Sequence, residues 1–335
     1  MPLGAAALLL LLISLSSCVT LVSRDELAAE YLSIANTLYE AGAVDQASTY
    51  YGRALDLNPE LESASFNLAR VYIDRGQYER GIAILEELLQ ERPESLELRE
   101  ARAFAALRSG DLERAEELYR EILEESPYRV SALYNLGVLK RELEGGAEAL
   151  DYFARAYEAE LGDPDVSFAY GELLAGRGRV EEAIPVFETF LSAAETAGPR
   201  FLAVAEHLEA GAYYSRALTV YERYLRENPD SPNGHFARAR LLLTVVEDEE
   251  AGSQALLRAL RLGFSDGEEL GTLLADPGLV APVRVEEILE EQGFDPSALQ
   301  RAAETRAREE AQAGAERADS AGAPTGRPYL EQVRP

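Results

Sequence analysis

Small, large apolar and chain-breaking positions recur along this chain on a 34-residue ruler, and the ruler predicts paired helices. Pro59, Pro93 and Pro127 are evenly spaced, with Ala47, Gly81 and Ala115 and then Gly42, Gly76 and Gly110 at fixed offsets upstream. Numbering each unit so that its proline is position 32 starts units at Ala28, Glu62 and Leu96. Position 8 is then Ala35, Ala69 and Ala103, and position 20 is Ala47, Gly81 and Ala115. Small residues at both places let two helices approach closely. Position 24 (Tyr51, Leu85, Tyr119) is large and fills space between neighbouring hairpins. The glycine suits a left-handed helix end, and the proline stops the second helix.

The ruler continues from Val130 (Gly137, Ala149, Phe153, Ala156), from Pro164 (Gly171, Gly178, Ala183, Phe187) and from Gly198 (Ala205, Ala217, Tyr221, Pro229). A seventh unit from Pro232 keeps Ala239 and Ala251, but its large position is only Ala255 and its turn is the acidic run 247–250. A period of this length means stacked hairpins around a continuous core. The expected fold is all-α: a right-handed superhelical solenoid of about seven hairpins over 28–262. Residues 263–295 read as a C-terminal helical cap, with helices around Asp266–Leu274 and Val283–Gln292 split by Asp276-Pro277-Gly278. In 296–335, Leu299–Ala313 reads as helical, and disorder is expected after Gly314.

These residues resemble the tetratricopeptide repeat family over roughly Ala28 to Leu262. The chain departs from the family in having no Trp and in large residues at position 27 (Leu88, Ile122, Phe190, Tyr224). The resemblance implies a binding scaffold whose first helices line a concave groove through positions 2, 5, 9 and 12. Position 5 reads Leu32, Phe66, Glu100, Tyr134, Phe168, Leu202 and Phe236, mostly apolar and partly aromatic. Position 9 reads Asn36, Arg70, Phe104, Val138, Glu172, Glu206 and Arg240. Asn36 is expected to hold the backbone of an extended peptide through its amide. Aromatic anchors among a few polar groups are what a peptide groove needs. Some family members clamp a peptide C-terminus with Lys, Asn and Arg. Here Asn36 and Asn67 match, but Leu32, Glu97 and Ala101 stand at the basic positions, so that clamp is absent.

The N-terminus adds location. Residues 1–17 carry no charge, and the apolar core from Ala5 to Leu15 has the length of a secretory signal and is short for a span of about 20 residues. It ends in Leu15-Ser16-Ser17-Cys18, which looks like the lipobox of bacterial lipoproteins, with Cys18 the single cysteine of the chain. The reading is a signal over 1–17, lipidation of Cys18 and a tether over 18–27. The n-region, Met1 to Gly4, lacks the usual Lys or Arg. An uncleaved signal anchor and a buried structural cysteine are the other readings.

Charge narrows the partners. The formal net charge is −28, and 296–335 balances its arginines against its acids, so the acidity belongs to the repeats and cap. That field disfavours nucleic acid and anionic lipid surfaces. With one cysteine there is no disulfide framework. No catalytic or metal-binding constellation is evident. His207 and His235 stand apart, and Gly176-Arg177-Gly178 lacks the surroundings of a phosphate loop. No enzyme activity, metal or cofactor is expected.

The sequence thus reads as a membrane-anchored scaffold lipoprotein of a bacterial cell envelope that binds a segment of a protein partner in its groove. Envelope lipoproteins of this appearance assist pilus secretin assembly, outer-membrane protein assembly or peptidoglycan synthesis. A small-ligand or glycan-binding lipoprotein that presents cargo to an enzyme or transporter is the alternative.

Overall fold

The computed structural model describes residues 23–144 and 147–319. The signal over 1–17, Cys18 and the tether as far as residue 22, and the tail beyond 319 lie outside the described residues, whereas residues 24–27 of the expected tether are already helical. Two compact units divide between Leu139 and Lys140. Among the described residues no helix is long and apolar enough to cross a membrane.

The first unit holds α1 (Arg24–Glu40), α2 (Val44–Leu57), α3 (Glu62–Asp74), α4 (Tyr78–Glu91), α5 (Leu96–Ser109) and α6 (Leu112–Glu125), and α7 (Val130–Glu144) begins in it. Ser23 caps α1 in a capping box with Glu26, and Ser95 and Asp111 cap α5 and α6 through their side chains. Each satisfies an amide that the helix leaves unpaired. Second helices end at Leu57, Glu91 and Glu125, two residues before Pro59, Pro93 and Pro127. Gly110 ends α5 at φ +85, a conformation that a Cβ penalises.

The ruler maps onto burial. Ala35, Ala69 and Ala103 at position 8, and Tyr51, Leu85 and Tyr119 at position 24, are all 0% exposed. The close approach is measurable at Gly81. A Cβ there would lie 2.8 Å from Ile73 Cγ1 and 2.9 Å from the Ala69 carbonyl oxygen. The first atom belongs to a buried side chain and the second to backbone, so neither yields easily. Gly81→Ala should therefore lower stability by about 1–2 kcal/mol net, because overpacking exceeds the gain in helix propensity of about 1 kcal/mol. Equilibrium urea unfolding checks this. A stabilised variant would mean that α3 and α4 have room to part.

The second unit holds the end of α7 and then α8 (Ala147–Ala159), α9 (Pro164–Gly176), α10 (Val180–Ala193), α11 (Arg200–Ala210), α12 (Tyr214–Glu227), α13 (Pro232–Leu241) and α14 (Glu249–Arg261). Phe153, Phe187 and Tyr221 fill position 24 at no more than 1% exposure. The seventh hairpin corrects the sequence reading. A π-turn, Leu242–Val246, inserts one residue at the end of α13. The left-handed residue moves from position 15 to Glu247, at φ 61. The close approach moves from Ala251 to Gly252, whose Cβ would lie 2.6 Å from Leu243 Cγ. The large position moves from Ala255 to Leu256, which is 0% exposed. The unit that read as weakest is a regular hairpin displaced by one residue.

The cap follows as α15 (Gly267–Ala275), α16 (Pro282–Glu291) and α17 (Pro296–Asp319). Leu256 and Leu260 of the last hairpin share a core with Phe264, Leu270, Leu273, Val285, Ile288 and Leu289 of the cap. Such a cover removes the apolar end that a helical stack otherwise exposes. The Val280 amide donates to Leu243 O at 2.9 Å, pinning the α15–α16 turn on the π-turn. Gly271 lets α17 approach: a Cβ there would lie 2.7 Å from Leu299 O. The helix expected over Leu299–Ala313 is part of α17, which runs through Gly314 to Asp319.

Candidate functional site

The first helices of the hairpins carry the residues that the sequence nominates, and the structure sorts them by exposure. Leu32, Asn36, Phe66, Arg70, Leu202 and Arg240 are half-buried. Phe104, Tyr134, Phe168 and Phe236 are 4, 2, 6 and 4% exposed. Their rings are spent largely inside the fold. Phe168 lies 5.3 Å from the ring of Phe190, a position-27 residue, with the Arg200 guanidinium 5.0 Å from its centroid. Phe236 stacks on Phe264 at 4.1 Å. Large residues at position 27 and in the cap therefore cover aromatics that the ruler alone places in an open row. Glu100, the polar member of that row, is 8% exposed. It accepts Nε and Nη2 of Arg129 at 2.8 and 2.6 Å, and also Ser131 Oγ.

Positions 9 and 12 show a second regularity that sequence reading missed. Position 12 of one hairpin meets position 9 of the next. Arg70 lies over the Tyr39 ring at 5.3 Å. Arg141 Nη1 is 3.1 Å from Glu172 Oε2, and Arg240 Nη2 is 3.1 Å from Glu209 Oε1. Ile73 and Phe104 line one pocket at the same register. The signal was available as complementary residues about 31 apart: cation and ring, cation and carboxylate, or two apolar groups. The three pairs that include an arginine staple adjacent hairpins, so these side chains are only partly free for a ligand.

Asn36 shows the same division. Its Oδ1 accepts Tyr51 Oη at 2.7 Å and Asn67 Nδ2 at 3.0 Å, which leaves the Nδ2 donor for a peptide. Tyr39 Oη donates to Asp74 Oδ2 at 2.5 Å. Burial, then that carboxylate, push the Tyr39 phenol up to about 12, so it stays a neutral donor at physiological pH. Burial also raises Tyr51, opposed by Arg70.

The open part of the first unit is a pocket of about 280 Å³ lined by Phe66, Arg70, Ile73, Asp74, Glu97, Glu100, Ala101, Phe104 and Arg129. Ile73 and Phe104 form an apolar floor, Phe66 stands half-buried beside it, and Arg70 has no carboxylate within ion-pair distance among the described residues. The accessible lining is thus the Phe66 ring with Arg70 and the Asp74 and Glu97 carboxylates around it, which suits an apolar side chain whose backbone carbonyl meets Arg70. It offers little chemistry beyond binding. Among the described residues, no group of three or more His, Cys, Asp or Glu is placed to hold a metal ion. His207 stacks on Phe187 at 6.0 Å, and His235 Nε2 lies 2.9 Å from Pro229 O. Both rings have structural neighbours.

Comparisons with known proteins bear on the repeat fold. Cellulose synthase operon protein C of Komagataeibacter xylinus is 31% identical over 148 residues, which are 44% of this chain and 11% of that protein. The chain therefore spans about a tenth of that relative. Type IV pilus assembly protein PilF of Pseudomonas aeruginosa is 26% identical over 188 residues, 52% of this chain and 73% of PilF. The solved structure of Pseudomonas aeruginosa PilF aligns with a TM-score of 0.51 at 18% identity, covering 62% of this chain and 95% of that one. That likeness concerns the fold. Family profiles described as tetratricopeptide repeat match residues 38–105, 96–121, 134–198 and 203–266. These spans cover most of the residues that the ruler marks, and the chain belongs to the tetratricopeptide repeat family.

Proposed function

We propose that this protein is a lipid-anchored scaffold of a bacterial cell envelope that binds a segment of a protein partner in the Phe66 pocket. The fold is a protein-binding scaffold, of a kind that is typically non-catalytic. The observation that carries the finer reading is the pocket itself, lined by Ile73 and Phe104, by the half-buried Phe66 ring and by Arg70. Leu15-Ser16-Ser17-Cys18 supports the anchor, with a diacylglyceryl thioether on Cys18 holding an acidic body that would not adhere to anionic lipid by itself. PilF, whose name assigns it to type IV pilus assembly, supports an assembly role of that general kind. We read the chain as having no enzyme activity of its own.

The anchor and the pocket are tested together in envelope fractions. Metabolic labelling with a palmitate analogue is expected to mark the wild type, with the signal lost in Cys18→Ser. The wild-type chain is expected to co-purify an envelope protein that Phe66→Ala recovers poorly. Label retained in Cys18→Ser refutes the anchor. Equal recovery by Phe66→Ala refutes the pocket.

A further inference from the structure

In the second unit, the seam between the second helices α10 and α12 opens into a pocket of about 330 Å³. Phe187, Leu208 and Val220 form a buried floor, and Ile184 and Leu191 are half-buried walls. Ser215 and Thr219 stand exposed at the rim, beside Glu188 and Arg216, which pair with each other. Thr219 Oγ1 donates to Ser215 O at 2.9 Å and keeps its acceptor lone pairs. This pocket is distinct from the row of first-helix residues described above.

Repeat register explains why the seam is open at this hairpin. In the second, third, fourth, fifth and seventh hairpins, position 7 or 11 of the first helix carries a long side chain with a polar tip: Tyr72, Arg102, Lys140, Tyr170 and Arg238. Each is buried or half-buried, so its apolar stem covers neighbouring carbon while the tip reaches water or a partner. The Tyr170 ring lies 5.7 Å from that of Tyr157 on the preceding second helix. Arg238 Nη2 lies 3.8 Å from Glu222 Oε1 of α12. Arg102 sits in the field of Glu121 on α6 and Glu86 on α4. The sixth hairpin has Val204 and Leu208 at these two positions, and no such stem closes the seam in front of it.

The sequence beyond the described residues holds a side chain of the missing kind. Helix α17 ends at Asp319, in the same unit as the seam. Residues 320–328 are small residues, Gly, Pro, Thr325 and Arg327, a stretch that reaches up to roughly 30 Å when extended. Tyr329, Leu330 and Val333 follow as the large apolar residues of 320–335, flanked by Arg327 and Arg334. We propose that the chain's own segment 327–334 docks along this seam, with the Tyr329 ring over the Phe187 floor and its hydroxyl at the Ser215–Thr219 rim. Tyr329 then closes the sixth hairpin's seam as Tyr170 closes the fifth's. Two arginines against Glu331 make the segment cationic in a chain of net charge −28, so the body attracts it. The inference depends neither on the lipid anchor nor on what the Phe66 pocket holds.

The chain has no Trp, so Tyr329→Trp in the full chain installs a single fluorescent reporter. Ala321→Trp, made separately, places the same reporter near the start of the connecting stretch. A docked indole buries most of its ring, so Tyr329→Trp should emit to the blue of Ala321→Trp and be quenched by acrylamide roughly threefold less. Adding Thr219→Arg lays a long stem over the pocket from an exposed rim position and should raise quenching to the Ala321→Trp level. Thr49→Arg makes the same change at the equivalent exposed position of α2 and should leave the shielding intact, as should Phe66→Ala. Equal quenching of the two reporters overturns the proposal. So does shielding that survives Thr219→Arg, or that Thr49→Arg removes as well. Release by Phe66→Ala would put the segment in the first pocket, and shielding lost on dilution, with a dimer seen by sedimentation, would put it on a second copy; either result overturns docking in this seam. The scaffold reading is judged separately, by recovery of an envelope protein with Phe66→Ala, and stands or falls apart from this result.

Discussion

Replacing Tyr119 with alanine should destabilise the first unit by about 3–5 kcal/mol, in the range measured for deleting a buried aromatic ring. The side chain is 0% exposed and occupies position 24, where a large group fills the space between successive hairpins. Its removal leaves a void that the helices cannot close without giving up contacts on both sides. The phenol adds a polar part: Asn135 Nδ2 donates to Tyr119 Oη at 2.9 Å, and Asn135 is itself 1% exposed. Burial holds the phenol neutral far into alkaline solution, so this bond persists across physiological pH. Tyr119→Phe keeps the ring and removes the acceptor. It should cost only about 1–2 kcal/mol. Urea unfolding followed by far-UV circular dichroism separates the two. Equal costs would mean that the hydrogen bond, and not the ring, dominates this position.

How much of this was legible follows from which physical constraint each residue obeys. Positions 8, 20 and 24 are set by steric contact within and between hairpins, which repeats with the chain, so Ala69, Gly81 and Tyr119 announce themselves through spacing. The seventh unit misled because its spacing breaks. The π-turn at Leu242–Val246 adds one residue and shifts the close approach to Gly252 and the large group to Leu256, and no strong turn residue marks the insertion. The groove was legible in register and not in exposure. Period places Phe66, Phe168 and Phe236 at one position, but burial depends on what packs over each ring. Phe190 covers Phe168 and Phe264 covers Phe236, and both covering residues depart from the repeat pattern.

That difference between register and exposure decides which aromatic residue reports on binding. Phe66→Ala should weaken a partner that uses the first pocket by about 2 kcal/mol, roughly thirtyfold in Kd, while leaving the unfolding midpoint close to that of the wild type. Phe66 is half-buried at the rim of the pocket, beside the Ile73 and Phe104 floor. A partner side chain seated there would complete its burial, and that step is what the truncation removes. Arg70→Ala should weaken the same partner by a smaller factor, since the guanidinium also keeps its place over Tyr39 in the free protein. Tyr134→Ala and Phe168→Ala belong to the other class. Both rings are nearly inaccessible, so their removal should act first on stability, and affinity should fall only as far as the fold loosens. The measurement is a titration of the partner recovered from envelope fractions against all four variants, each paired with a urea unfolding curve. Unchanged affinity for Phe66→Ala, with losses confined to the destabilised variants, would remove the pocket from the binding surface. The docking surface would then have to lie outside the first helices of the first unit.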